Sequence, residues 1–426
     1  RTGAIVVDPT DSNHVLIGGT LCAVRTLSGL GAAPVFDNVL NGVHVDWRTE
    51  YATASSGAVT IYSGNDGGLY RSTNVFSAPQ GSEAQVLWTP VNQGLYTQLS
   101  FTVGSGDPAD GNTQYVLAGS QDIGAFLLDA QGGWDVAGGG DVSGAAVNGR
   151  VAWWASELLT ECDVVATDCR LGSNWHVVLP SLPSGDAMGL AEARLSPVLD
   201  GTGRVLSTSK LNVWLSAPSG SSGWSSVRVT PNALPASTTN VFASPATPGL
   251  FGVTMSDGTC AVTRNGLDAV PSWSRSVPLG DGTTAVATAS MIAFAPESLP
   301  GAQPGDVYLA SSSATVLAGN APIPDALGHL FVTRDRGATW QPFHGAGVGQ
   351  DLPNAPVSVV RYDPSDSTGS RIYAATAVGV FLTTDGGMTW KAVGKLPAAP
   401  VTDLFISRDG KLLRASTLGR GIWELG

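Results

Sequence analysis

Short apolar runs divided by turn words recur along the whole chain. AIVV (4–7), VLIGG (15–19) and AVRT (23–26) are separated by D-P-T-D-S and by a small polar turn. The same order returns as VVRY (359–362), D-P-S-D-S, IYAAT (372–376), a Gly-containing turn and VFLTT (380–384). Runs this short, β-branched and bounded by Gly, Pro, Asp and Ser predict strands, not helices. The third run of a module leads into a polar word that ends in Trp, after which a fourth strand is expected. That word is sharpest at TRDRGATW (333–340) and TTDGGMTW (383–390), and worn copies end at Trp88, Trp134, Trp175, Trp224 and Trp273. The spacing is about 40–50 residues, with one wider interval that holds the Pro/Gly/Ala-rich stretch 299–328.

Four short strands per module at a steady period predict an all-β chain built as a β-propeller of four-stranded blades. Strand markers from Phe36 to Trp390, with three more strands after them, lead to an expectation of seven or eight blades. They would form one propeller domain spanning 1–426. The repeated word then falls in the turn between the third and fourth strands. There Asp335 and Asp385 would accept hydrogen bonds from their own turns. Gly337 and Gly387 would supply a backbone conformation that other residues resist. Trp340 and Trp390 would fill the gaps between blades. A word that recurs is expected to build structure, because an active site is needed once.

TRDRGATW and TTDGGMTW resemble the Asp-box, or BNR repeat, found in sialidases, in glycoside hydrolase family 74, in sortilin-type receptors and in many secreted bacterial proteins. The run LPAAPVTDLFISRDGKLLRASTLGRGIWEL (396–425) resembles the closing segment of secreted bacterial Asp-box proteins. The resemblance implies a β-propeller and leaves the function open.

Composition narrows the classes. Charged residues are only 13% of the chain, Gly supplies 54 of 426 residues, and 43% of the residues are apolar, enough for a core with many tight turns. The net charge is −12, and lysine occurs only at Lys210, Lys391, Lys395 and Lys411. Such a surface argues against nucleic acid and anionic membranes, which require clustered positive charge. No apolar run reaches the roughly 18 residues of a bilayer span. The chain opens at Arg1 inside a strand pattern and reads as a mature or trimmed form. Cys162 and Cys169 flank a short loop in ECDVVATDCR. A local disulfide in an oxidising compartment is expected, with two free thiols as the alternative. No pairing is assigned to Cys22 and Cys260. Scattered histidines and the lack of C-x-x-C give no metal site. No cofactor is called for, and DPADGN (107–112) suits an ordinary turn as well as a calcium loop.

Candidate chemistry collects in the second-to-third-strand turns and the connections between blades, which share one face of a propeller. Residues 41–51 (NGVHVDWRTEY) carry His44, Asp46, Trp47, Arg48 and Tyr51, and YSGNDGGLY (62–70) carries Asp66. AGSQDIGAF (118–126) adds Gln121 and Asp122, GGGDVSG (138–144) adds Asp141, and WASELLTE (154–161) adds Glu157. Lys210 and Arg420 occupy comparable turns. Two carboxyl groups are what glycosidic cleavage requires, one as acid and one as nucleophile or base, and crowding separates their pKa values. Asp46, Asp66, Asp122, Asp141 and Glu157 are therefore the candidate acids. His44, Trp47, Arg48, Tyr51, Gln121, Lys210 and Arg420 are the candidate binding residues. N-D-G-G and Q-D-I-G are also plain turn words. SQDIGAFLLDA (120–130) resembles the T-D-I-G-G-A-Y-R-W-D stretch of family 74, which implies a catalytic role for Asp122. GGGDVSG similarly implies one for Asp141, although that family sets its two acids in separate propellers. The sialidase R-I-P motif is absent from the sequence.

Two functions follow as expectations. One is a secreted, extracellular or periplasmic propeller of bacterial type that hydrolyses a polysaccharide or glycoconjugate with paired carboxylates. The other is a non-catalytic propeller that binds glycan or another protein at the same mouth, or serves as a structural surface module.

Overall fold

A computed structural model describes residues 2–31, 33–95, 97–156, 159–178, 196–197, 204–217, 224–228, 236–296, 302–347 and 349–425. Their regular structure is strand apart from three short 3₁₀ turns, and no helix among them is long and apolar enough to cross a membrane. The strands form antiparallel sheets in which each strand pairs with the next in sequence. In chain order the sheets are 1 (residues 2–38), 2 (47–90), 3 (100–138), 4 (144–177), 5 (196–228), 6 (238–275), 7 (291–342), 8 (357–392) and 9 (401–425). All have four strands except sheet 9, which has three among the described residues. The architecture is that of a β-propeller.

The backbone packs as two compact units, Arg1–Thr97 and Gln98–Gly426. The reason lies in how the second unit closes on itself. Its first strands pack in succession: Ser100–Ser105, Gly144–Asn148, Ser196–Pro197, Thr238–Ala243, Met291–Phe294, Val357–Tyr362 and Val401–Ile406, which returns to Ser100–Ser105. The seam joins residues some 300 positions apart. Thr102 Oγ1 (2.8 Å) and the Val103 N–H (3.2 Å) donate to Asp403 Oδ2. Thr402 Oγ1 donates to the Ser100 carbonyl (2.7 Å), and Arg414 Nη1 to Ser105 Oγ (2.6 Å). The loop 107–112 ends at the same seam. Asp107 caps its own turn through the Ala109 N–H and accepts the Arg408 N–H at 2.9 Å.

Sheets stacked on both sides explain why strict alternation is lost in the second strands. Val116–Ser120, Val205–Thr208, Ile372–Thr376 and Leu413–Thr417 are buried at every position, so small and apolar residues fill both faces. At Gly104 an added Cβ would lie 2.8 Å from the Ala146 backbone, so only glycine lets sheets 3 and 4 approach this closely.

The repeated word is seen at atomic detail in sheets 7 and 8. Asp385 Oδ1 accepts the Thr389 N–H (2.9 Å) and Thr383 Oγ1 (2.7 Å), while Oδ2 accepts Thr389 Oγ1 (2.6 Å). Asp335 makes the same bonds with Thr333 and Thr339. The Thr389 side chain and backbone, with Thr383, hold the Asp385 carboxyl down at about 2. Trp340 is 5% exposed, stands edge-on to Tyr308 at 5.4 Å and donates to the Val277 carbonyl. Trp390 stands edge-on to Phe343. The word is a turn brace plus an interblade plug.

The first unit packs sheets 1 and 2 around Leu16, Ile61, Val86 and Trp47. Arg25 is fully buried there and pairs with Asp37 at 3.1 Å. The Cys162–Cys169 disulfide is formed, Cys22 is free and exposed, and Cys260 is free and buried.

Candidate functional site

In the first unit the connection 41–48 and the turn 65–68 meet. Arg48 clamps Asp66 with two bonds, Nε to Oδ1 at 2.8 Å and Nη2 to Oδ2 at 2.6 Å. That bidentate pair holds the Asp66 carboxyl below its usual range. Asp46 sits at φ +58°, and its N–H donates to the Thr20 carbonyl. His44 orients its neighbour, its carbonyl accepting Trp47 Nε1 at 3.0 Å. Trp47 corrects a sequence expectation. It is 2% exposed and lies edge-on to Trp88 at 5.2 Å, so no ring face is left for a sugar. Its place on the inward side of a strand packed against sheet 1 explains the difference. Tyr51, 66% exposed, is the open ring of this strand.

Sequence reasoning missed Glu50. It lies opposite Ser63 and reaches over Gly18 of sheet 1, where a Cβ would come within 2.7 Å of its Oε1. Both of its oxygens are shielded and find no hydrogen-bond partner among the described residues. Burial raises the carboxyl to about 8. The signal was present in WRTEY, since a charge at a half-buried alternate position is the anomaly to note.

In the second unit the turns 120–124 and 138–142 are zipped together. Asp141 Oδ1 accepts the Asp122 N–H at 2.8 Å, the Val142 N–H donates to the Ser120 carbonyl, and Ile123 bridges Gly140. Asp122 is half-buried at φ +62°, and Asp141 is exposed. Gln98, also missed from sequence, ties the group together. Its Nε2 donates to Ser120 Oγ (2.8 Å), and its carbonyl accepts the Gly419 N–H (2.9 Å). Through that bond the turn bearing exposed Arg420 stands beside the turn bearing Gln121 and Asp122. Asp122, Asp141, Gln121 and Arg420 are thus gathered on one side of the seam. Lys210 is exposed on a separate turn, where its carbonyl accepts the Thr238 N–H. Glu157 lies outside the described residues.

No protein-family model matches the sequence, and no curated protein matches it. Among solved structures the chain is similar to a GH74 enzyme of Niastella koreensis, at 14% identity and a TM-score of 0.48, over 100% of this chain and 59% of that one. It is also similar to the WD40 repeats of RRP9, at 12% identity and a TM-score of 0.47, over 77% of this chain and 94% of that one. The chain therefore spans 59% of the length of the GH74 enzyme it resembles. The β-propeller assignment stands on the cycle of sheets itself.

Proposed function

We propose that this is a secreted Asp-box propeller that binds polysaccharide or glycoconjugate at the turns around Asp122, Asp141 and Arg420 without cleaving it. One observation carries the reading: two of the candidate acids serve as braces. Asp141 holds the backbone of Asp122, and Asp66 is clamped by Arg48. A general acid must carry a proton to the leaving oxygen at working pH, and a carboxylate locked on a guanidinium is poorly suited to that. The disulfide supports an oxidising compartment, and the repeated aspartate turns support the Asp-box assignment.

Hydrolysis is the second reading, and the backbone favours it. Asp46 and Asp122 both hold left-handed φ values, and such strain collects at functional sites.

A polysaccharide panel separates the two, with retention and reducing-end release measured on the same samples. Retention without release is expected. Arg420→Ala and Gln121→Ala should weaken retention about tenfold, the scale of one lost polar contact. Release that disappears in Asp122→Asn would make the protein a hydrolase.

A further inference from the structure

Opposite the turn of Asp122, the second unit carries a cavity of about 300 Å³ between sheets 3 and 4. Asp122 and Asp129 flank the strand Gly124–Leu128. At about 3.3 Å per residue the two ends stand roughly 20 Å apart. The cavity belongs to the third-to-fourth-strand turns and shares no residue with the group around Asp141. Its polar lining is Asp129, Gln131, Thr167, Asp168 and Arg170, with Tyr115 as aromatic wall.

We propose that this cavity is a second binding site, for an uncharged mono- or disaccharide unit. The volume is at the lower end of small-ligand pockets, about 300–1,000 Å³. Three of its polar groups are planar and already oriented. Arg170 forks onto Asp168 with Nε and Nη2 at 2.8 Å each, and its Nε lies 3.3 Å from Asp129 Oδ2. Asp129 is fixed in turn by the Gln131 N–H at 2.9 Å. Tyr115 is anchored by donation to the Val164 carbonyl at 3.0 Å, which leaves its ring as a wall. Carboxylate, guanidinium, amide and hydroxyl groups thus line the cavity beside an aromatic and aliphatic surface. A sugar matches this, because each hydroxyl donates and accepts while the ring offers an apolar face. The charge balance rejects anions, since two carboxylates outnumber one guanidinium.

The disulfide supports the same reading. Cys169 lines the cavity, and its bridge to Cys162 closes a separation of seven residues that contains Asp168. Beyond the bridge, Trp175 Nε1 donates to the Cys169 carbonyl and Asn174 Nδ2 to that of Asp168. Sheets 7 and 8 build the corresponding turn from the aspartate word alone. The bridge therefore sets the shape of this loop beyond what a blade requires.

Titration of the full chain with neutral mono- and disaccharides, followed by ligand-observed NMR and calorimetry, tests the site. At least one sugar should bind. Arg170→Ala and Gln131→Ala should each weaken it about tenfold or more, with near-ultraviolet circular dichroism unchanged. Arg170 is partly exposed, so its loss should leave the blade folded. Reduction of the disulfide should weaken the same sugar. Three results would overturn the proposal. One is a panel in which nothing binds, and another is preferential binding of glucosamine or another amine over neutral sugars. The third is a sugar lost in Arg420→Ala but kept in Arg170→Ala, which places it at the other end and leaves the reading of that end standing.

Discussion

Two adjacent glycines show how narrowly single positions are specified. Gly386 and Gly387 both hold left-handed backbone, at φ +71° and +93°. A Cβ on Gly386 would meet nothing within 4 Å, while one on Gly387 would lie 2.3 Å from the Phe343 ring. Gly386→Ala should therefore cost about 1–2 kcal/mol, the penalty of the left-handed conformation alone. Gly387→Ala adds overpacking and should cost about 2–4 kcal/mol in total. Denaturant unfolding of the two variants measures the difference. Equal losses would mean that Phe343 yields and that the interblade fit is looser than the side-chain positions imply.

At the scale of elements, Glu50 makes the packing of sheet 2 on sheet 1 sensitive to pH. Burial raises its carboxyl to about 8, against 4.5 in the unfolded chain. Between those values the folded protein holds a proton that the unfolded chain has released. The stability from this group is complete below about pH 4.5 and declines as pH rises toward 8, by about 1.4 kcal/mol per pH unit. The sign is opposite to that of a salt-bridged carboxylate such as Asp66. Glu50→Gln should flatten the profile of the first unit and leave it more stable at pH 7.5. Thermal unfolding of both proteins from pH 5 to 8.5 reads this directly, and parallel profiles would place Glu50 in contact with water.

The whole molecule turns on closure. The seam from Thr102, Val103 and Ser105 to Thr402, Asp403 and Arg414 completes the second unit from residues after Thr97. A chain of residues 98–426 should fold alone and unfold in one cooperative transition. It should also bind sugars at the Arg170 cavity as the full chain does. A molten product with no near-ultraviolet signal would show that the seam alone does not suffice.

Much of this was legible in the sequence because it is local. Strands, turns and the recurring Asp-Gly-Trp word follow from which residues accept left-handed backbone, which side chains bond their own turns and how far apart they recur. The cysteine pair followed from its spacing in the same way. Interactions between distant segments were not legible. Spacing does not say that sheet 9 closes on sheet 3, that Trp47 turns inward, or that Gln98 joins the turns of Asp122 and Arg420. Those outcomes depend on which sheet faces stack and on which polar groups lose water when they do. The aspartates at 122 and 141 were visible as chemistry-bearing residues, but the bond that makes one brace the other exists only once the two turns are folded together.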